Sequence, residues 1–228
     1  LFNFSSLRLE NINHNKLLKQ DFIILNESIE ITSGLLSTLL KFTNNGGSLL
    51  IVPPAKLDDF TNYNILLNTL EVNTITGIKE NELKINRFRT RNSIYKNVFT
   101  ETLGKANSPI STCSYSLSTK KISTQIIGFA NKEDFLSSYA LGKGYVYQFS
   151  SPLNKNYNNF TKHALFVPTL INMATSSLLV NTLYYIIGPD KKIKTKYINK
   201  STGIPHIKGG GIDIIPTLTN RNNEQLLD

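Results

Sequence analysis

Apolar residues in this chain fall in short continuous runs, and between the runs lie stretches with helical spacing. Asp21-Phe22-Ile23-Ile24-Leu25 is the first such run, closed by Asn26-Glu27-Ser28. An unbroken run of this length marks a strand covered on both faces. Thr32 or Ser33 then caps a helix whose apolar positions Leu35, Leu36, Leu39, Leu40 and Phe42 recur at 3.6-residue spacing, and Asn45-Gly46-Gly47 supplies its stop. Ser48 to Val52 reads as a second buried strand, ended by Pro53-Pro54 because proline brings no N–H to a ladder. A second helix is expected from Asp58 to Leu70, with Phe60, Tyr63, Leu66, Leu67 and Leu70 on one side. Strand, helix, strand, helix is a βαβα unit, and right-handed crossovers of that kind build parallel sheets. The expected fold class is α/β: a doubly wound, mostly parallel, flavodoxin-like sheet with flanking helices.

Residues 71–120 break this rhythm. They are polar and rich in Asn and Thr, and they read as an insertion in which 84–95 and 111–117 are candidate strands. Order returns at Thr124 to Ala130. The two glycines of Gly142-Lys143-Gly144 fit a tight hairpin turn, Tyr145 to Phe149 a strand, and Ser150-Ser151-Pro152 its carboxyl end. A long helix is expected from about Phe160 to Ser177, with a kink or a late start at Pro168. Beyond Leu179 the texture becomes β: Tyr184 to Ile187, Lys192 to Ile198, His206 to Lys208 and Ile212 to Ile215, separated by turn signals. The chain is thus expected to hold an α/β domain over 1–183 and the start of a β-rich segment over 184–228.

Composition sharpens this picture at a few points. With 228 residues, 40% hydrophobic and 18% charged, the chain has enough apolar material for a core and too little charge for a disordered segment. It opens on Leu1 with no signal-peptide pattern and is expected to be a portion of a longer parent. Its longest apolar candidate, Leu178 to Ile187, is interrupted by Asn181 and Thr182 and is too short to cross a bilayer. The single cysteine, Cys113, excludes an internal disulfide. A net charge of +9 raises the possibility of nucleic acid or anionic lipid. The excess is dispersed except in Lys191 to Lys196, within the longer Lys191 to Lys200 segment, where alternation puts Lys192, Lys194 and Lys196 on one strand face. Lysines guarding an exposed sheet edge are the plain reading of that segment, with binding of anionic polymer or lipid head groups as its functional alternative. Without tryptophan, an RNP-like aromatic motif or an arginine-bearing helix, no nucleic-acid partner is expected.

The succession Asp21-Phe22-Ile23-Ile24-Leu25-Asn26, then Asn45-Gly46-Gly47-Ser48-Leu49-Leu50-Ile51, then Gly142-Lys143-Gly144-Tyr145-Val146-Tyr147 resembles the class I glutamine amidotransferase-like superfamily. Ser151-Pro152-Leu153 and Phe160 to Pro168 look more particularly like the corresponding domain of Bat-type aerotolerance-operon membrane proteins. The resemblance covers roughly residues 15–180. It implies a bacterial membrane-anchored parent, an extracytoplasmic (periplasmic) setting, protein partners in or at the membrane, and membrane contact made through the parent.

Active members of that superfamily need a nucleophilic cysteine in a strained strand-to-helix turn, a histidine to take its proton and a carboxylate to orient the histidine. Here the turn after Val52 reads Pro53-Pro54-Ala55-Lys56, without Cys, Ser or Thr. Cys113 lies in no glycine elbow, and His163 is followed by Ala164-Leu165 where the superfamily has a nearby carboxylate. The expectation is a pseudoenzyme, a non-catalytic binding domain without cofactor. A hydrolase or amidotransferase using Cys113 and His163 is the catalytic alternative. His14, His163 and His206 are too scattered for a metal site. Because ligands of open parallel sheets gather at the carboxyl ends of strands, Asn26, Glu27, Pro53, Pro54, Ser150 and Ser151 are the expected lining of any pocket.

Overall fold

A computed structural model describes residues 3–29, 31–57, 59–95 and 108–177, and further on 193–195, 206–209, 211–215, 217–221 and 224–227. The chain divides into two compact units, Leu1–Leu179 and Val180–Asp228.

In the first unit a one-turn helix α1 (His14–Leu17) precedes β1 (Phe22–Asn26), α2 (Ser33–Asn44), β2 (Ser48–Val52) and α3 (Phe60–Thr69). The caps follow the sequence. Thr32 Oγ1 accepts from Leu35 N at 3.3 Å, and the Asp59 carboxylate accepts from Thr61 N at 2.8 Å. Seven strands follow: β3 (Ile75–Lys79), β4 (Leu83–Phe88), β5 (Ile110–Ser111), β6 (Ser114–Leu117), β7 (Thr124–Phe129), β8 (Asp134–Leu141) and β9 (Gly144–Phe149). Helix α4 (Phe166–Ser177) closes the unit; it starts late, with Pro168 in its first turn, where the missing N–H costs nothing.

The main sheet has seven strands in the order β1-β2-β9-β8-β7-β4-β5. Only β1·β2 and β2·β9 are parallel; β9·β8, β8·β7, β7·β4 and β4·β5 are antiparallel. The expected doubly wound, mostly parallel sheet is therefore incorrect: the sheet is mixed and mostly antiparallel, with few helices. The reason lies in the connections. Parallel neighbours need a crossover of a dozen or more residues, which α2 supplies between β1 and β2. The links β7–β8 and β8–β9 are tight turns, and a tight turn can only reverse the chain. Residues 134–141, unassigned from sequence, form the longest strand of the sheet, and much of the supposed insertion supplies β3 to β6.

Each face of the sheet carries its own core. Leu25, Leu49, Ile51 and Val146 point towards α2, α3 and the antiparallel β3–β6 ribbon, meeting Leu35, Leu39, Leu66 and Tyr115. Leu50, Val52, Tyr147 and Phe149 point the other way, towards α4, with Ile85, Ile127, Phe135, Phe160 and Met173. All five residues of β2 are consequently buried.

The seam between β2 and β9 is tight. A Cβ on Gly144 would stand 2.0 Å from the Gly47 carbonyl oxygen and 2.6 Å from that of Thr43, so only glycine lets the β8–β9 hairpin seat against the α2–β2 turn. Gly142 takes the positive φ of 59° that this hairpin requires.

The second unit, described by itself, contains the antiparallel ladder β10-β14-β13, with β10 (Ile193–Thr195), β13 (Leu218–Arg221) and β14 (Glu224–Leu227), and the hairpin β11 (Ile207–Gly209) to β12 (Ile212–Ile214). The expected strand Tyr184 to Ile187 lies outside the described residues, as does the Lys191 to Lys200 segment apart from β10.

Candidate functional site

The six predicted residues lie at one place, the carboxyl edge of β1, β2 and β9, and Glu27, Pro54 and Ser150 serve hydrogen bonds of the backbone and of the covering segment there. Asn26 is exposed at the end of β1. Glu27 follows at φ 51°, a left-handed conformation unusual for a non-glycine residue, and its N–H donates to Val52 O at 3.0 Å. Pro53 and Pro54 are buried. Ser150 donates from its N–H to Phe135 O at 3.0 Å and from Oγ to Asp134 O at 2.6 Å, while Ser151 has no exposed surface.

What covers this edge is the segment from β5 to β6. Tyr115 N–H donates to Ser150 O at 2.6 Å, its phenol donates to Pro54 O at 2.8 Å, and its ring meets Phe60 edge-on at 6.1 Å. Cys113 is buried beside it, with Sγ 3.8 Å from Ala55 O. Ser111 Oγ donates to Cys113 O at 2.7 Å and shares a 2.7 Å hydrogen bond with Ser151 Oγ, which also accepts from Asn158 Nδ2 at 3.0 Å. A bridge between Ser111 and Asn158 pins the far end. The signal for this covering strand was present in the sequence: Cys113, Tyr115 and Leu117 alternate with Ser114, Ser116 and Ser118, a period of two.

The electrostatics suit packing. Burial first, then the neighbouring Cys113 and Glu27, hold the Tyr115 phenol protonated far above its ordinary range. Burial, and secondarily Glu80, pushes the Cys113 thiol up as well, the opposite of what a nucleophilic thiolate needs. Among the described residues, Ser111, Cys113, Ser150 and Ser151 have hydrogen-bond partners that are carbonyls, a second serine, an asparagine and a main-chain N–H, with neither histidine nor carboxylate side chain among them.

His163 sits elsewhere. Its ring is stacked on Phe88 at 5.5 Å and 7° and on Phe160 at 6.1 Å and 22°, and its Nδ1 accepts from Leu165 N at 3.3 Å. Burial lowers its pKa. No hydrogen bond joins it to Cys113. His14 Nδ1 pairs with Thr38 Oγ1 at 2.8 Å, and His206 Nδ1 with Asp213 Oδ1 at 2.7 Å in the second unit. Among the described residues no group of three His, Cys, Asp or Glu side chains is placed to hold a metal ion.

No family model matches the chain, and no curated protein matches it. Solved structures do. The chain is similar to the Cytoplasmic Protein STM3548 from Salmonella typhimurium, with 12% identity, a TM-score of 0.54, and coverage of 72% of this chain and 74% of that one. It is similar to the mmIFT52 N-terminal domain, with 17% identity, a TM-score of 0.50, and coverage of 72% and 81%. A β-galactosidase from Rahnella sp. R3 is matched at 12% identity and a TM-score of 0.50 over 76% of this chain but only 25% of that one. At such identities the likeness extends to fold alone.

Proposed function

We propose that this chain is a non-catalytic binding domain of a Bat-type, membrane-anchored bacterial envelope protein, with proteins in or at the membrane as its partners. One observation carries the non-catalytic part: the carboxyl edge of the parallel strands, where related scaffolds place chemistry, is filled by Cys113 and Tyr115. Among the described residues the buried thiol has no base within hydrogen-bond reach, and the nearby hydroxyls are spent on carbonyls and on one another. The membrane setting and periplasmic location rest on the sequence resemblance. Among the described residues no helix is long and apolar enough to cross a membrane, so attachment in this reading belongs to other parts of the parent.

Thiol alkylation tests the reading. Native protein at neutral pH should react with iodoacetamide at least about 100-fold more slowly than urea-unfolded protein, because the thiolate is scarce and enclosed. Rapid native alkylation, coupled to a glutaminase or esterase activity that Cys113→Ala abolishes, would overturn it.

A further inference from the structure

The opposite edge of the sheet has a different character. The amino ends of β1, β2 and β9 coincide with the carboxyl ends of β8 and β4 and the start of β7, since Leu141 pairs with Gly144, Thr124 with Ser138, and Arg89 N–H with Ile126 O. Three basic connections meet there. The β4 exit carries exposed Arg89 and Arg91, the β6–β7 loop carries exposed Lys120 and Lys121, and the β8–β9 turn carries exposed Lys143, whose N–H donates to Asn44 O at 3.2 Å. None of these five makes an ion pair among the described residues. Among the described residues the carboxylates placed at this edge by the strand ends are Glu71, after α3, and Asp21, which is offset by Lys19. Glu27, Asp59, Glu80 and Glu133 lie at the other edge, where Glu133 is paired with Lys79.

Two side chains set this basic edge apart from an ordinary solvated surface. Ile122, directly after the two lysines, is 97% exposed, and Tyr145 at the start of β9 is 46% exposed while stacked on Tyr147 at 6.3 Å. A soluble polyanion offers an exposed isoleucine nothing. A bilayer interface rewards it, and it favours the amphipathic ring of tyrosine as well.

We infer that this edge of the first unit is a docking surface for anionic phospholipid, with the lysines and arginines on the head groups and Ile122 dipping below them. The inference is independent of whether the opposite edge is catalytic. It gives the domain its own membrane contact, through residues other than the Lys191 to Lys200 segment.

The test is co-sedimentation of the 228-residue chain with phosphatidylcholine vesicles containing or lacking phosphatidylglycerol. Binding is expected only with phosphatidylglycerol and should fall steeply as salt rises. Lys120→Gln/Lys121→Gln should weaken partitioning about 30-fold, and Ile122→Asn about 10-fold. The control Lys56→Gln/Lys155→Gln, at the opposite edge, should leave it unchanged. Equal binding to neutral vesicles, absence of binding, or an equal loss in the control would each overturn the inference. So would binding that polyphosphate abolishes and Ile122→Asn does not touch, which would identify a soluble polyanion as the ligand. Both edges tolerate these exposed substitutions, so circular dichroism should show all variants folded.

Discussion

The two halves of the main sheet are built by different rules. In the parallel half the central strand β2 is covered on both faces and buried throughout, its side chains shared between α2 and α3 on one side and α4 on the other. In the antiparallel half, formed by β8, β7, β4 and β5, a tight turn joins β7 to β8, and bulges interrupt β4 between Ile85 and Arg87 and β7 between Gln125 and Gly128. Each bulge moves the following side chains to the other face, so Phe88 points into the same core as Ile85 despite the odd spacing. Burial on both faces fixes a strand by bulk hydrophobicity, whereas in the antiparallel half register is set by local backbone events.

The seam between β2 and β9 is where the largest effect is expected. Gly144→Ala places a methyl carbon 2.0 Å from a main-chain oxygen, so the β8–β9 hairpin must lift off the α2–β2 turn; a loss above about 4 kcal/mol is expected in denaturant unfolding. A near-neutral result would mean the β8–β9 hairpin is seated on the α2–β2 turn far more loosely than described.

Next comes Phe135→Ala, which removes a fully buried ring that meets Phe129, Phe149 and Phe160 edge-on at 5.1–5.3 Å. A cost of about 3–5 kcal/mol, similar to that of Leu49→Ala in the parallel half, is expected in urea titrations. If only Leu49→Ala is costly, the antiparallel half is an appendage and the comparison fails.

Ser151→Ala tests the tie between β5 and the end of β9. Removing a buried hydroxyl that bonds Ser111 and Asn158 leaves both short of a partner, and about 1–3 kcal/mol should be lost. Restoration of full stability by Ser111→Ala in the same chain would show that the pair matters only through its mutual satisfaction.

The smallest effects are titrations. Burial depresses the His163 pKa in the folded state, so the stability associated with its neutral form is complete above the unfolded value and declines as pH falls through the folded one. His163→Gln should flatten the stability profile below pH 6.5, the ordinary histidine value, even if it lowers the whole curve. Glu133, held below the usual carboxylate range first by its hydrogen bond to Lys79, behaves alike at lower pH: its contribution is present above the unfolded pKa and lost in acid. That pair links β3 to the β7–β8 turn in partial exposure, so Glu133→Gln should cost under about 1 kcal/mol.

The same division explains what the sequence revealed. Asp21 to Val52 was legible because a caps-and-glycine helix between two fully apolar runs admits one arrangement. The Asp134-Phe135-Leu136-Ser137-Ser138-Tyr139 stretch was not, because a buried serine masks the apolar pattern: Ser137 is buried yet satisfied by Asp134 at 2.6 Å. The direction of the sheet was misjudged for a related reason. The βα repeats at the start are genuine, but the reversals that follow depend on turns such as Gly142-Lys143 whose consequence is set by what packs beside them. The candidate site was half legible. Its location followed from the carboxyl ends of β1, β2 and β9, while its occupation by Tyr115 depended on a contact across sixty-one positions of chain to Pro54.

The placement of β9 between β2 and β8 also sets a timetable. About 90 residues separate the end of β2 from the start of β9, so β2 keeps one ladder edge open until the chain through Phe149 is available. At roughly 5–20 residues per second that interval is on the order of 5–20 s during synthesis, long enough for a holdase to bind the uncovered Leu49-Leu50-Ile51-Val52 edge before the sheet can close.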